Sequence, residues 1–179
     1  LVILDLDNTL WGGVVGDDGL EGLRLGGHDA VGEAFVDFQR ALQRLANRGV
    51  LLAVVSKNEE AVALKAISSH PEMVLRLSDF ASWRINWGDK AQNIVELVAQ
   101  LNLGLDAAVF LDDSPFERAR VREALPEVLV PDLPADPMLY PSFVGALRCF
   151  DTAFVGAEDR ERSAMYAAER ERTAARATA

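Results

Sequence analysis

The amino-acid sequence predicts an α/β fold in which a central parallel β-sheet is flanked by helices. Short apolar runs rich in Val, Ile and Leu alternate along the chain with longer stretches whose apolar residues recur at helical spacing. This alternation is typical of parallel strands joined by crossover helices. A chain of 179 residues, of which 50% are hydrophobic, is long enough for one domain with a substantial core.

The apolar runs locate the strands. Residues 1–5, 50–55 and 107–111 are predicted as strands because each run is short and apolar. Residues 127–130 form a fourth candidate, and a short strand is also expected around 83–86.

The segment after the first strand predicts a small insertion and then a long helix. The Asp18-Gly19 pair, flanked by alternating residues, predicts a β-hairpin at about 12–25. The helix that follows has Asp29 as its candidate N-cap and Gly49 just beyond its end. Its apolar stripe consists of Val31, Phe35, Phe38, Leu42 and Leu45.

Three further helices are predicted downstream. Crossover helices are expected at 59–68 and 90–102, the second because its apolar residues recur at i, i+3, i+4 and i+7. After the strand at 107–111, a capping box predicts a helix start: Ser114 as N-cap, Pro115 at the first helical position and Glu117 at the third.

The last fifty residues divide into a proline-rich loop and a charged end. The prolines between 131 and 141 disfavour sheet or a long helix there, although a short helix can intervene. Residues 151–179 are charged nearly all round and predict a solvated helix that frays into a tail. We therefore expect a catalytic domain at 1–150, with 151–179 as a helix or tail that links to a domain outside this sequence.

Composition excludes several classes of function. The 18 Lys and Arg residues against 28 Asp and Glu give a net charge of −10, so we expect no nucleic-acid partner. Cys149, His28 and His70 provide neither a zinc ligand set nor a catalytic Cys/His pair, and we expect Cys149 to be buried and structural. A single cysteine fits a reducing cytosol, so we expect a cytoplasmic location. No apolar run reaches the length of a membrane span, so we expect no membrane contact.

Polar residues follow three of the predicted strands at the point where each strand ends. They are Asp5, Asp7 and Thr9 after the first, Ser56, Lys57 and Asn58 after the second, and Asp112 and Asp113 after the strand at 107–111. Because the carboxyl ends of parallel strands share one edge of the sheet, we expect these side chains in one crevice. Lys90 begins a helix, where the dipole disfavours a cation, so we expect it to pair with the aspartates.

The charges in this crevice predict the chemistry. Four carboxylates would repel one another, and would repel phosphate, unless a divalent cation lay among them. Oxygen ligands without His or Cys favour Mg²⁺ over zinc. Because Mg²⁺ takes one or two carboxylates, an aspartate is left free to attack phosphorus and form an aspartyl-phosphate. Trp11, Trp83 and Trp87 are expected to pack in the core or at its rim.

The motif residues, taken in order, resemble the four motifs of the haloacid dehalogenase (HAD) superfamily of phosphohydrolases. These motifs are Asp5-Leu6-Asp7-Asn8-Thr9, Ser56, Lys90 and Asp112-Asp113. Longer strings, among them DLDNTLWGGVVGDDGLEGLRLG, SKNEEAVAL and FLDDSPFERARVREALPEV, resemble the FkbH-like family. The resemblance implies a three-layer Rossmann-like HAD fold. It also implies a role in polyketide and antibiotic biosynthesis: such enzymes take 1,3-bisphosphoglycerate, remove phosphate and load a glyceryl unit onto an acyl carrier protein.

The resemblance also implies a role for each motif residue. Asp5 would be the nucleophile, and Asp7 the general acid and base, whose backbone carbonyl helps to hold Mg²⁺. Thr9 would support their loop. The residues implied in substrate binding are Ser56, Lys57, Asn58 and Lys90. The residues implied at the metal are Asp5, Asp7, Asp112 and Asp113.

One position departs from the FkbH-like pattern. Where the family is expected to read CSKN, with a cysteine that carries the glyceryl thioester, this chain has Val55 before Ser56. Valine cannot form a thioester. Direct transfer to the carrier thiol, a different acyl unit and phosphatase action alone remain open. A stand-alone phosphatase for small molecules or phosphoproteins is the alternative enzyme. A non-catalytic interaction domain is the other alternative, although the intact acidic set argues against it.

Overall fold

A four-stranded parallel sheet forms the centre of the protein. The structure is a computed structural model that describes residues 1–151 and 155–177. The strands are β1 (Val2–Leu4), β2 (Leu52–Ser56), β3 (Phe80–Ile85) and β4 (Val109–Leu111). Their spatial order is β3-β2-β1-β4 and every pairing is parallel, so β1 lies between β2 and β4. The α/β prediction is confirmed.

Helices follow the strands and cover the sheet. They are α1 (Val15–Gly22), α2 (Ala30–Ala46), α3 (Glu60–Ser69), α4 (Lys90–Gln100), α5 (Pro115–Ala124), α6 (Tyr140–Gly145) and α7 (Ala157–Ala177). The predicted cap of α2 forms, because Asp29 accepts a hydrogen bond from the Gly32 amide. In α4, Asp89 accepts one from the Gln92 amide. Among the described residues, no helix is both long and apolar enough to cross a membrane.

The core lies in two layers, one on each face of the sheet. Val2 and Leu4 pack in the same buried cluster as Phe35 of α2. Ile3 points to the opposite face and packs in a second cluster with Ile94 of α4 and with α5. Because β1 is buried on both faces, its residues are all apolar, as expected for a central parallel strand.

The predicted β-hairpin at 12–25 is wrong, because this segment contains α1. Only its base resembles a hairpin: Gly12 and Arg24 exchange two backbone hydrogen bonds, of 3.0 and 2.8 Å. Asp18 does not start a β-turn, because its carboxylate accepts a hydrogen bond from the Val14 amide at 2.7 Å and closes the first helical turn. Gly19, at φ 66° and ψ 179°, bends the helix at this point.

The stretch at 127–130 forms a single parallel bridge and not a strand. Leu129 exchanges backbone hydrogen bonds with Phe110 and Ala108 beside β4. The next carbonyl, that of Val130, accepts hydrogen bonds from the Arg122 guanidinium, and Pro131 has no N–H to donate. The ladder therefore ends after one bridge. The short strand expected around 83–86 is present, but it begins earlier, as β3.

The C-terminal part is more closely packed than the sequence predicts. The short helix that was allowed within the prolines is present as a turn at Pro137–Leu139 followed by α6. The helix α7 lies against β3, where the Arg170 guanidinium stacks 4.5 Å above the Trp83 ring. It is therefore not solvated on all sides. Of the segment predicted as a tail, residues 152–154 and 178–179 lie outside the described residues.

Candidate active site

The polar residues at the strand ends meet at the carboxyl edge of the sheet, above β1. Asp5 follows β1 and continues the ladder, since its amide donates to the carbonyl of Leu111 at 3.0 Å. Asp112 follows β4 directly, and Lys90 begins α4. The strand order places the end of β1 between the ends of β2 and β4. The structure thus brings the aspartates together from segments more than 100 residues apart.

Lys90 forms a buried ion pair with two of the aspartates. Its Nζ lies 2.9 Å from Asp5 Oδ1 and 2.6 Å from Asp112 Oδ2. Lys90 is 4% exposed and Asp112 is 0% exposed. Burial lowers the pKa of Lys90, but the two carboxylates outweigh burial, so the pKa is raised overall. Lys90 is therefore held as a cation between the two acids, as its position at the helix start predicted.

The three carboxylates of the cluster outnumber Lys90, the cation that lies between two of them. Burial, and then the negative charge of Asp5, raises the pKa of Asp112 to about 6, although Lys90 opposes this. Burial and Asp5 also raise the pKa of Asp113. One carboxylate oxygen from each of Asp5, Asp112 and Asp113 lies within 4.8 Å of the others, so the three can hold a metal ion. These all-oxygen ligands suit a hard divalent cation.

The Asp7 carboxylate does not join this group, because it is held by three other donors. Trp11 Nε1 and the Val15 amide donate to Oδ1 at 2.9 and 3.0 Å, and Asn58 Nδ2 donates to Oδ2 at 2.8 Å. Burial, the largest effect, raises the pKa of Asp7 although these donors lower it. Any metal contact by Asp7 would thus use its backbone carbonyl, as the family resemblance implies.

Two other motif residues shape the site from the strand ends. Thr9 is fully buried, and its hydroxyl donates to Asp113 Oδ1 at 3.3 Å while accepting from the Asp113 amide at 3.1 Å. Ser56 is buried at the end of β2. Val55, immediately before it, is 0% exposed and packs in the core layer shared with α4. Position 55 is therefore closed to solvent.

Lys57 forms an ion pair with α5, although 36% of its side chain is exposed. Its Nζ lies 2.6 Å from Oε1 of Glu117, which is 8% exposed. The predicted capping box is therefore only half formed: the Ser114 hydroxyl accepts from the Glu117 amide, but the Glu117 side chain pairs with Lys57. The Ser114 amide donates instead to Asp112 Oδ1 at 2.8 Å. Among the described residues, Glu117 Oε2 has no hydrogen-bond partner.

Several contacts at the site were not expected from the sequence. Asn58 was predicted to bind substrate, and its side chain contacts Asp7. Trp11 was predicted to pack in the core or at its rim; it is buried, and it also donates a hydrogen bond to Asp7. The spacing of four between Asp7 and Trp11 was a signal that sequence reasoning did not use. The sequence assigned Glu117 only to a helix cap. It assigned no role to Arg118, which contacts the backbone of Asp112 and Asp113.

The prediction that Cys149 is buried is wrong. It is exposed in a turn at Arg148–Phe150. Together with Leu1 and Gly49 it lines a cavity of about 410 Å³ at the amino edge of the sheet, opposite the aspartates. A thiol in a short surface turn has too few apolar neighbours to be covered, which the apolar residues beside it in sequence did not reveal.

Comparisons with known proteins add a solved relative. No protein-family model matches the chain, and no curated protein matches it. The N-terminal part of the protein BF1531 from Bacteroides fragilis, a crystal structure that contains a phosphatase domain complexed with Mg, shares 50% sequence identity over 86% of this chain, with a TM-score of 0.82. This chain spans 41% of the length of that structure. The predicted Rossmann-like fold, with helices on a central parallel sheet, is confirmed by this likeness.

Proposed function

We propose that this chain is a Mg²⁺-dependent phosphohydrolase in which Asp5 is the nucleophile. The observation that carries the proposal is the buried cluster of Asp5, Asp112 and Asp113 with Lys90 between the first two. The BF1531 phosphatase domain, which is complexed with Mg, supports it at 50% identity.

The metal-binding residues fit Mg²⁺. Asp5, Asp112 and Asp113 would hold the ion, which would supply positive charge to the phosphoryl oxygens. Three carboxylates facing one lysine leave a surplus of negative charge, and a divalent cation would offset it. The test is phosphate release from acyl and alkyl phosphates with Mg²⁺ and with EDTA; release that is equal in both would contradict the proposal.

The residues divide the reaction between them. The Asp5 carboxylate attacks phosphorus, the bond to the leaving oxygen breaks, and Asp7 gives that oxygen a proton. Its raised pKa favours the protonated form that this step needs. Asp7 then takes a proton from the water that hydrolyses the aspartyl-phosphate. Lys90 and Ser56 would bind phosphoryl oxygens, with Lys57 and Asn58 beside them.

For the substrate and partner, we propose the chemistry of the FkbH-like family. The enzyme would remove the C3 phosphate from a phosphorylated three-carbon acid such as 1,3-bisphosphoglycerate, which leaves the acyl phosphate at C1 intact, and a glyceryl unit would pass from that acyl phosphate to an acyl carrier protein. In the transfer, the carrier thiol sulfur attacks the acyl carbon, the bond from that carbon to the phosphate oxygen breaks, and the thiol proton leaves with phosphate. Because valine at position 55 cannot form a thioester, we propose direct transfer to the carrier thiol, a route that needs no thioester on this chain.

A phosphatase without carrier transfer is the second candidate, and the cysteine positions favour it. Val55 is fully buried, and Cys149 lies at the opposite edge of the sheet. A mass increase on a phosphopantetheinylated carrier protein, mixed with enzyme, acyl phosphate and Mg²⁺, is expected if transfer occurs. No adduct with any donor would favour the plain phosphatase. In both cases, intact-mass spectrometry should show no stable acyl group on this chain.

Replacing Trp11 by Phe should separate positioning from packing at Asp7. Phenylalanine keeps most of the buried ring but removes the 2.9 Å hydrogen bond to Asp7 Oδ1. We expect kcat to fall by roughly tenfold or more, with KM little changed, because Asp7, the proposed general acid and base, is less well positioned. The free energy of unfolding should fall by about 2 kcal/mol, since the lost bond is to a charged group.

Trp83→Phe is the matched control for this substitution. Trp83 Nε1 donates to Glu60 Oε1 at 2.9 Å, away from the catalytic cluster. This variant should lose an indole hydrogen bond without a change in kcat. A similar fall in kcat for both variants would show that the effect of Trp11→Phe is not specific to Asp7.

A further inference from the structure

Arg118 is a buried arginine whose guanidinium contacts the backbone of Asp112 and Asp113. It lies in the first turns of α5 and is 8% exposed. One nitrogen, Nη1, donates to the carbonyl oxygen of Asp112 at 2.9 Å and to that of Asp113 at 2.8 Å. Two consecutive carbonyls therefore bind one nitrogen of the guanidinium.

This contact requires a particular backbone shape. In an extended strand, successive carbonyls point to opposite sides, so two neighbouring carbonyls can reach one nitrogen only where the chain has turned. At this turn, both carbonyl oxygens face Arg118. The carboxylates of Asp112 and Asp113 each place an oxygen within 4.8 Å of one from Asp5. The backbone shape that Arg118 binds is thus the one in which the two carboxylates converge.

Other groups bind the amide and the carboxylates of the same two residues. The Thr9 hydroxyl binds the amide and the carboxylate of Asp113, and the Ser114 amide binds Asp112 Oδ1. The guanidinium is the group that holds the carbonyls. Its Nε has no hydrogen-bond partner within the described part of the chain; the nearest acid is Asp132, whose Oδ1 is 3.6 Å away and well exposed.

We propose that Arg118 is a positioning residue for the metal site: it fixes the turn at Asp112 and Asp113, and thereby sets the affinity of the site for Mg²⁺. This inference rests on the proposed function, because it assumes that these carboxylates bind the metal. A guanidinium suits the task because its permanently charged fork is planar and rigid, so the two N–H bonds of one terminal nitrogen point to two acceptors in fixed directions. Groups that orient metal ligands in this way commonly change metal affinity by about 10-fold to 100-fold when they are removed.

Arg122 provides a matched control on the same helix. It lies one turn further along α5, and its Nε and Nη2 donate to the carbonyl of Val130 at 2.9 and 2.8 Å. It also pairs with Asp132. Arg122 therefore makes the same type of contact, a guanidinium on a loop carbonyl, without touching a residue of the acidic cluster.

The experiment measures Mg²⁺ binding to metal-stripped protein by calorimetry, with thermal unfolding in EDTA as the measure of folding. We expect R118M to weaken Mg²⁺ binding by about 10-fold to 100-fold. R118K should weaken it by at least about threefold, because an ammonium keeps the charge but loses the planar fork. R122M and R122K should bind Mg²⁺ as the parent does, although all four variants lose some thermal stability.

Equal Mg²⁺ affinity in R118M, R122M and the parent would overturn the inference. If R118M does not fold, the comparison of R118K with R122K decides the question: parent-like affinity in R118K overturns the inference, and a loss confined to R118K supports it. A parent protein that binds no Mg²⁺ would instead overturn the proposed function, and the inference with it. The two failures are therefore distinguishable by the parent titration.

Discussion

Replacing Asp5 by Asn is expected to abolish Mg²⁺-dependent phosphate release, with a fall in kcat of at least about 10³-fold. An amide oxygen is a poor nucleophile and cannot carry the negative charge that attacks phosphorus. The substitution also removes one of the three carboxylates that converge on the metal site. The measurement is phosphate release under saturating substrate and Mg²⁺, together with a search for phosphoenzyme by intact mass after rapid acid quench.

Asp37→Asn is the control for this variant. Asp37 lies on the exposed side of α2 and pairs with Arg40 at 2.9 Å, with both side chains more than half exposed. Its loss should leave kcat unchanged, because exposed pairs contribute little and the residue is remote from the crevice. Phosphate release by Asp5→Asn at the rate of the parent would show that the nucleophile has been assigned wrongly.

Replacing Lys90 by Met should have the second largest effect, on both stability and activity. The substitution leaves Asp5 and Asp112 buried without the cation that lies within 3 Å of each. Removing one partner of a buried ion pair typically costs about 3–5 kcal/mol. We expect this loss in the free energy of unfolding when urea denaturation is carried out in EDTA. Phosphate release should also fall steeply, because the lysine between Asp5 and Asp112 is no longer present to offset charge on the phosphoryl group.

Addition of Mg²⁺ should restore part of the stability of Lys90→Met. A divalent cation can replace some of the lost positive charge, so the rise in melting temperature on adding Mg²⁺ should be larger than in the parent. Lys65→Met, on the exposed side of α3, is the control and should change stability by no more than about 0.5 kcal/mol. Parent-like stability of Lys90→Met in EDTA would be incompatible with the buried pair described here.

Much of the candidate site was predictable from sequence because it depends on topology. In a parallel sheet every strand ends at the same edge, so recognising the apolar runs before Asp5, Ser56 and Asp112 was sufficient to place these residues together. The position of Lys90 at a helix start indicated an acidic partner, because its unfavourable interaction with the helix dipole had to be offset.

Other features depended on which of two competing contacts a side chain makes. Asp18-Gly19 is a strong hairpin signal, yet the Asp18 carboxylate binds the Val14 amide and a helix forms. Glu117 fits a capping box, yet it pairs with Lys57, sixty positions earlier in the chain. In each case a side chain had both a local and a competing partner, and only the folded structure decides which contact is made.

The sequence by itself determined the fold class, the edge of the sheet that carries the acids and the oxygen-only character of the ligands, because these follow from hydrophobic periodicity and residue chemistry. The tertiary structure alone decided how the acids are divided. It directs the Asp7 carboxylate to Trp11 and Asn58, and it groups Asp112 and Asp113 with Asp5 over a turn that Arg118 binds. The physical reason is that a carboxylate with several donors in reach takes its direction from how all of them pack around it, including segments as distant as that of Asn58.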